Sequence, residues 1–588
     1  MNLKTCLSIV VCCLTLAPGF AQSATLYWQG DASNLWSVAA NWNTAQNGAG
    51  SDQVPANADV LVFDTNTPGV GNFANNNDLV GLTDIEIQIV DDDANDFSIS
   101  GNSIELAANG IIQTTTNGFT RITTPFTLAA PTTFTNIGNN RIVIQGDIDN
   151  AGHLLTFGGT NRINFDGVLS GAGGLTLNTS VTLSDANTYA GLTTINGGST
   201  ANIVVRGQLG STAGGTIVNA GGRLSFDANG STGYLAEPVT LDGGSLQAFR
   251  PPATFPGPIT LASDSTLDVV ASGDLTLTGQ ITGAGGFAKT GSDVLTLSNS
   301  SNNYAGATNV TAGTLRMGDS EVIPSSSPVD LAAGAFLDLN GFVEQATVSG
   351  QGTVTNNGSS AGSLGFFLSS TFDGVIQDGT ETTNVSFGEG HTTLQTTTLT
   401  GTHTYTGTTT IANNATLILD GQIGPAGLVT VGFNTGGATL AGSGVLEADV
   451  QVDDELSPGN GSPDELTTNN LTFSGSGQYT VELQGTAAGQ FDQAIVNGTA
   501  TLGGATLDVT LGGGYVPMTG DSIPILTTIG GVTGEFAGLA DGDTFFPNGA
   551  PMTIDYGTFD VTIRSNLGGL SFMKLRYKIT DPPHANRT

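Results

Sequence analysis

Along most of this chain, branched or aromatic apolar residues alternate with Thr, Asn, Gln and Glu in short runs. Ile85-Glu-Ile87-Gln-Ile89, Thr132-Thr-Phe134, Arg141-Ile-Val-Ile144, Leu154-Leu-Thr-Phe157, Arg162-Ile-Asn-Phe165 and Ile203-Val-Val205 are typical. A period of two puts every second side chain on one face, as in a strand buried on one side. Gly, Asn or Asp ends each run, at intervals too short for a crossover helix. No helix-period segment of useful length interrupts the runs between Asp84 and Ile281. The pattern predicts an all-β chain of strand, turn and strand coils stacked as a β-helix, with inward Leu, Ile, Val and Phe in one continuous core. Outward Thr and Asn should face water.

Part of the pattern repeats. Gly171 to Gly198 reads GAGGLTLNTSVTLSDANTYAGLTTINGG, and Gly283 to Gly313 reads GAGGFAKTGSDVLTLSNSSNNYAGATNVTAG. The copies share Gly-Ala-Gly-Gly, a Val181-Thr-Leu183 or Leu295-Thr-Leu297 run, a Tyr-Ala-Gly turn at Tyr189 or Tyr304, and a β-branched close at Ile195 or Val310. A looser third copy carries Tyr405, Gly407 and Ile411. Such units are too small to bury their own apolar faces and do so by stacking. The alignment predicts Leu183, Leu297, Ile195 and Val310 inward, with Thr182 and Thr296 outward.

The ends differ from the body. Lys4 precedes the apolar run Cys6 to Ala17, too short to span a bilayer, and Pro18-Gly19-Phe20-Ala21 supplies the small residues of a signal-peptide cleavage site. Residues 1–21 are expected to be removed, with Ser23 the next choice of cleavage point. Trp28, Trp36 and Trp42 follow in TLYWQGDASNLWSVAANWN, before Val54-Pro55 and Asp59-Val-Leu-Val-Phe-Asp64. Large aromatics beside the first rung suit a cap over the open core, and the rival role for them is a glycan-stacking platform. Pro251-Pro252, Pro256 and Pro258 are expected to form a loop off the ladder or a weak joint in it. At the other end, Lys574, Arg576, Lys578 and Arg587 stand against the single acid Asp581, after Gly568-Gly569 and around Pro582-Pro583. This basic tail is expected to be disordered, or to lie against an acidic body, and to be no part of the solenoid.

Composition narrows the reading. The chain has 85 glycines in 588 residues and only 11% charged residues, which suits short strands and tight turns rather than helical bundles. Cys6, Cys12 and Cys13 all lie in the leader, so export brings no disulfide framework. The formal net charge is −36, and loss of Lys4 makes the mature chain one unit more negative. Nucleic acid and anionic lipid are bound chiefly through Lys and Arg, so neither is an expected partner. No later apolar run is long enough for an integral membrane helix.

Candidate chemistry is sparse. Paired carboxylates are what glycoside hydrolysis needs, and the dense acidic sites are Asp91-Asp92-Asp93 with Asp96, and Asp453-Asp454-Glu455. Neither carries a neighbouring His, Arg or Lys, and Asn-Thr-Asp, Gly-His-Gly and Arg-Ile-Lys motifs are absent. Both read as solvated turns. Asp91, Asp92, Asp93 and Asp96 are the weak candidates for Ca²⁺, although no EF-hand loop or Gly-Gly-x-Gly-x-Asp array accompanies them. Gly358-Ser-Ser360-Ala-Gly362 fits a nucleophile-elbow pattern, but the elbow needs a strand-to-helix turn that an all-β chain does not offer. His391 and His403 lack a third ligand for zinc.

The Gly-Ala-Gly-Gly, Leu-Ser, Asn-x-Tyr-x-Gly and Thr-x-Ile or Thr-x-Val units resemble the autotransporter-associated β-strand repeat of passenger domains. Residues 456–563, with Leu456-Ser-Pro-Gly-Asn460, Gln490-Phe-Asp-Gln493 and the Phe559-Asp-Val-Thr-Ile563 end, resemble the C-terminal part of such passengers. The resemblance implies an exported, right-handed, single-stranded parallel β-helix, a pectin-lyase-like solenoid with capped ends. It departs from the autotransporter pattern after Ile563, where too little sequence follows for a membrane β-barrel. The expected organisation is a leader over 1–21, a Trp-rich cap over 22–83, the β-helix over 84–455 with repeats near 171–198, 283–317 and 385–419, a passenger-like region over 456–563 and a tail over 564–588. The expected function is a secreted or cell-surface contact protein, adhesive or structural, that touches glycans or other surface components without catalysis or cofactor. The alternative is a carbohydrate-active lyase or hydrolase on the same scaffold.

Overall fold

The structure is a computed structural model that describes residues 23–67, 69–90, 96–114, 119–197, 202–205, 208–226, 236–248, 253–270, 273–390, 392–412, 414–433 and 436–565. Among them the regular elements are short β-strands and two single-turn 3₁₀ helices, with no α-helix. Strands pair in parallel with the equivalent strand one turn later, so the chain is a parallel β-helix. It divides into two compact units, residues 1–250 with 256–258, and residues 251–255 with 259–588.

In the first unit one inward file runs through Phe134, Phe157, Leu177, Ile195, Val218 and Leu241, each paired with the next across adjacent rungs. All six are buried. A second file runs through Ile122, Ile144, Phe165 and Leu183. In the second unit Leu275, Leu295, Leu315, Leu337, Val354 and Ile376 stack likewise. The inward register expected for Leu183, Ile195, Leu297 and Val310 is observed, because all four are fully buried. Burying a Leu or Phe side chain contributes roughly 1.5–3 kcal/mol, so the files supply the stability that a single rung cannot.

The outward register holds for Thr296, which is half-buried, but Thr182 is 3% exposed. Alternation keeps it opposite Val181 and Leu183, and the Arg162 guanidinium on the preceding rung donates to its hydroxyl and covers it. Thr182 is therefore outward yet buried, a correction to the expectation that it faces water.

Glycine supplies the corners. Gly283, with φ +116°, lies so close to the preceding rung that a Cβ would stand 2.2 Å from the Leu261 carbonyl oxygen. Gly442 repeats this against Leu419 at 2.2 Å, with φ +107°. Only glycine fits both demands.

Several expected boundaries move. Strands Leu82–Val90 and Glu455–Pro458 cross the divisions placed at 83/84 and 455/456, so the ladder continues through both. The division between the units falls instead at the proline-dense stretch. There Ala253–Phe255 is a strand paired with Leu275–Leu277, not a loop. Parallel pairing continues through Ser522–Thr528 on Gln493–Val496 and Val532–Thr533 on Ala500–Thr501, and beyond Ser522–Thr528 the sheet is extended by antiparallel pairing of Asp560–Ser565, Met552–Tyr556 and Thr544–Phe545. Arg564 and Ser565 belong to that last sheet rather than to the tail. No described helix is long and apolar enough to cross a membrane.

Candidate contact surface

The three repeat copies build the same corner. Asn187, Asn302 and His403 each stand two residues before Tyr189, Tyr304 and Tyr405. Asn187 Oδ1 accepts the Leu169 N–H at 2.8 Å, Asn302 Oδ1 the Ile281 N–H at 2.8 Å, and His403 Nδ1 the Ile376 N–H at 3.1 Å. Two residues on, each fully buried tyrosine hydroxyl meets the threonine four positions later: Thr193 at 2.6 Å, Thr308 at 2.7 Å and Thr409 at 2.7 Å. The corner thus satisfies a buried amide and two hydroxyls from within the repeat, which a buried turn requires.

His403 is the odd member. It lies in an apolar file with Ile423 and Leu446, is fully buried, and stacks on Phe372 with ring centroids 6.3 Å apart. Because Nδ1 accepts a backbone N–H, the neutral ring carries its proton on Nε2, which finds no hydrogen-bond partner. Burial pushes its pKa down to about 4. It is a core residue, and the repeat alignment that equates it with Asn187 and Asn302 was the signal for that. His391 lies outside the described residues.

Lys289 and Glu344 are buried ionisable groups to which the sequence pattern gives no clue. Lys289 Nζ donates to the carbonyl oxygens of Thr290, Gly291 and Ala312 at 2.9, 2.7 and 2.9 Å, and burial lowers its pKa to about 8. Glu344 accepts the Val322 and Ile323 N–H groups at 3.0 and 3.2 Å. Burial, assisted by Glu321, pushes its carboxyl up to about 9. Each braces a turn from inside, and neither faces a groove.

Trp28, Trp36 and Trp42 are all 0% exposed. Trp42 meets Trp28 and Trp36 edge-on at centroid distances of 5.0 and 5.4 Å, and Phe63 closes the cluster. No indole face is open to a sugar ring, so the glycan-contact role weighed for these residues does not fit their placement.

Asp91, Asp92 and Asp93 lie outside the described residues. Asp96 accepts the Phe119 N–H at 2.8 Å. In the other acidic run, Asp453 accepts from Gln451, Asp454 from the Ala438 N–H, and Glu455 from Thr439 and Thr480. Asp96, Asp454 and Glu455 thus staple neighbouring rungs, whereas Asp453 bonds within its own. No group of three or more His, Cys, Asp or Glu among the described residues is arranged to hold a metal ion. Ser360 sits in an exposed strand-to-strand loop and donates to the Gly341 carbonyl.

What the rungs present outward is a regular polar face. Thr133, Thr156, Thr176 and Thr194 pair in succession, half-exposed, at the spacing of a parallel ladder, roughly 4.8 Å. Thr276 and Thr296 form a similar file in the second unit. That unit also has a shallow cavity of about 340 Å³ lined by Pro425, Leu428, Glu447, Asp449 and Asn469. The chemistry offered is hydroxyls, amides and carboxylates on a rigid ladder, suited to repeated weak polar contact.

The recurring corner has a counterpart in a known repeat family. The passenger-associated-transport-repeat model matches residues 168–200, 287–317 and 395–419, and each window contains one tyrosine corner. The adhesin BmaC autotransporter of Brucella suis biovar 1 (strain 1330) is 32% identical over 402 residues, covering 65% of this chain. The chain spans about a tenth of that relative, 11% of its length.

Proposed function

We propose that this chain is an exported repeat protein of the cell surface or surrounding matrix, whose outer faces make adhesive or structural contacts without catalysis or cofactor. The observation that carries this reading is the transport-repeat corner at Tyr189, Tyr304 and Tyr405, held in a solenoid similar to part of an adhesin autotransporter. Export follows from the repeat's association with passengers and from the leader-like residues 1–21. The partners proposed are glycans and other neutral or cationic surface components, since a chain of net charge −36 repels polyanions. Contacts are spread along a ladder, so affinity comes from many weak contacts acting together.

The test is adhesion of beads coated with the full chain to cells and to a glycan panel. Wild type should bind saturably. The Thr156→Ala, Thr176→Ala, Thr194→Ala triple variant should retain the fold and bind several-fold more weakly. Equal binding by uncoated beads would overturn the proposal.

A further inference from the structure

One face of the β-helix ends on a strand whose outer edge is open. Thr506–Leu511 pairs in parallel with Gln478–Leu483, using the alternate N–H groups from Thr506 to Gly512. Alternation turns the backbone groups of Leu507, Val509 and Leu511 the other way. The Leu511 N–H donates to Asn548 Oδ1 at 3.2 Å, and the Ala505 carbonyl accepts from the Ala537 N–H at 2.8 Å. Between these two pins, the outward N–H and C=O groups of Leu507 and Val509 meet no partner among the described residues. Their side chains extend the buried file of Tyr479, Val481 and Leu483, yet Leu507 and Leu511 are only half-buried. Around the C-terminal end of this strand, Val516, Met518 and Phe546 are 73%, 67% and 65% exposed. An unpaired edge with an unfinished apolar file invites one more strand.

We infer that residues 572–579 of the same chain, Phe-Met-Lys-Leu-Arg-Tyr-Lys-Ile, dock on this edge as the closing strand. Three observations choose this occupant. The segment alternates: Leu575, Tyr577 and Ile579 fall on one face, and Lys574, Arg576 and Lys578 on the other. If the apolar face continues the file of Leu507, Val509 and Leu511, the basic face falls on the file that holds Asp508, beside Glu482 on the preceding strand. The tether also reaches. The Ser565 N–H donates to the Asp521 carbonyl, and Asp521 Oδ2 accepts from Tyr515, whose own N–H bonds Gly512 at the end of the open strand. The chain leaves the described residues beside the C-terminal end of the edge, and the linker to Phe572 spans up to roughly 20 Å. A segment entering there runs antiparallel to Thr506–Leu511. The tail that composition sets apart from the solenoid is thereby its last rung.

The test uses the full chain. Hydrogen exchange is followed in peptides covering 505–511, for wild type and for the Leu575→Pro, Tyr577→Pro double variant, in which two N–H donors are lost. Protection at Leu507 and Val509 should fall at least tenfold in the variant, with peptides covering 385–419 unchanged. Equal exchange in both proteins would overturn the inference. The mature chain has no cysteine, so Asp508→Cys combined in turn with Lys574→Cys, Arg576→Cys and Lys578→Cys gives a second readout. One pair should oxidise to an intramolecular disulfide on a monomer. Disulfide-linked dimers would mean that a second copy occupies the edge, and no cross-link from any pair would mean that the tail does not; either result overturns the inference.

Discussion

The corner at His403 gives the sharpest perturbation. His403→Asn restores the residue found at the equivalent positions Asn187 and Asn302, and an Asn Oδ1 there can accept the Ile376 N–H as His403 Nδ1 now does. The two side chains differ in that only histidine titrates. Burial holds the folded-state pKa near 4, below the ordinary value of 6.5. Protonation would also turn Nδ1 into a donor facing the Ile376 N–H. Between pH 6.5 and 4 the unfolded chain binds the proton and the folded chain does not, so stability rises with pH across that window. The histidine's contribution is fully present above about 6.5 and is lost as pH falls toward 4. A displacement of this size is worth roughly 3 kcal/mol, at 1.36 kcal/mol per pH unit. Urea unfolding of the second unit, read by hydrogen exchange in peptides covering 395–425 between pH 4 and 7.5, checks it. Carboxylates common to both proteins cancel in the difference. The variant should lose about 3 kcal/mol less than wild type on acidification. At pH 7.5 it should be weaker by about 1–2 kcal/mol, because the smaller side chain leaves space against Phe372. Parallel pH curves for the two proteins would refute the buried, neutral histidine.

Other perturbations separate the roles of the core residues. Tyr405→Phe strands Thr409 Oγ1 and should cost about 1–3 kcal/mol, whereas Tyr304→Phe leaves Thr308 bonded to Ser327 and should cost about 1 kcal/mol, both by denaturant melts. Glu344, with its pKa raised from 4.5 to about 9, contributes stability at low pH that disappears as pH rises through 9. Glu344→Gln should flatten that alkaline loss in thermal melts from pH 6 to 10, and an unchanged slope would count against a buried neutral carboxyl. Gly283→Ala combines φ +116° with a 2.2 Å approach to Leu261, and should cost about 3 kcal/mol or more. Leu297→Ala should cost about 2–5 kcal/mol and Thr296→Ala little.

The alternation of the runs made the solenoid legible, because inward and outward positions in a stacked coil are set by a period of two. Its limits lie where side chains reach across rungs. Arg162 covers Thr182 from twenty positions earlier, a distance no local window sees. Lys289 occupies an inward position between Leu267 and Val310, so pattern and charge gave opposite readings, and the carbonyl cage that reconciles them forms only when Ala312 closes the next turn. Strand direction leaves no mark on alternation, so the antiparallel pairs that Asp560–Ser565 makes with Ser522–Thr528 and Met552–Tyr556 are not legible in the sequence. The tryptophans are legible as large aromatics beside the first rung, but only their burial and edge-on packing show that no face is left for a ligand. The outer Thr files are legible as polar positions, although nothing in a threonine names its partner.

Contact without catalysis is read by incubating the purified full chain with a panel of cell-surface polysaccharides and measuring, in the same wells, retained protein and released sugar. Saturable retention on some surfaces, with no turnover on any, is the expected result. Reproducible release of sugar, abolished by substituting one of the acidic clusters at Asp91 to Asp96 or Asp453 to Glu455, would contradict it and make the solenoid an enzyme.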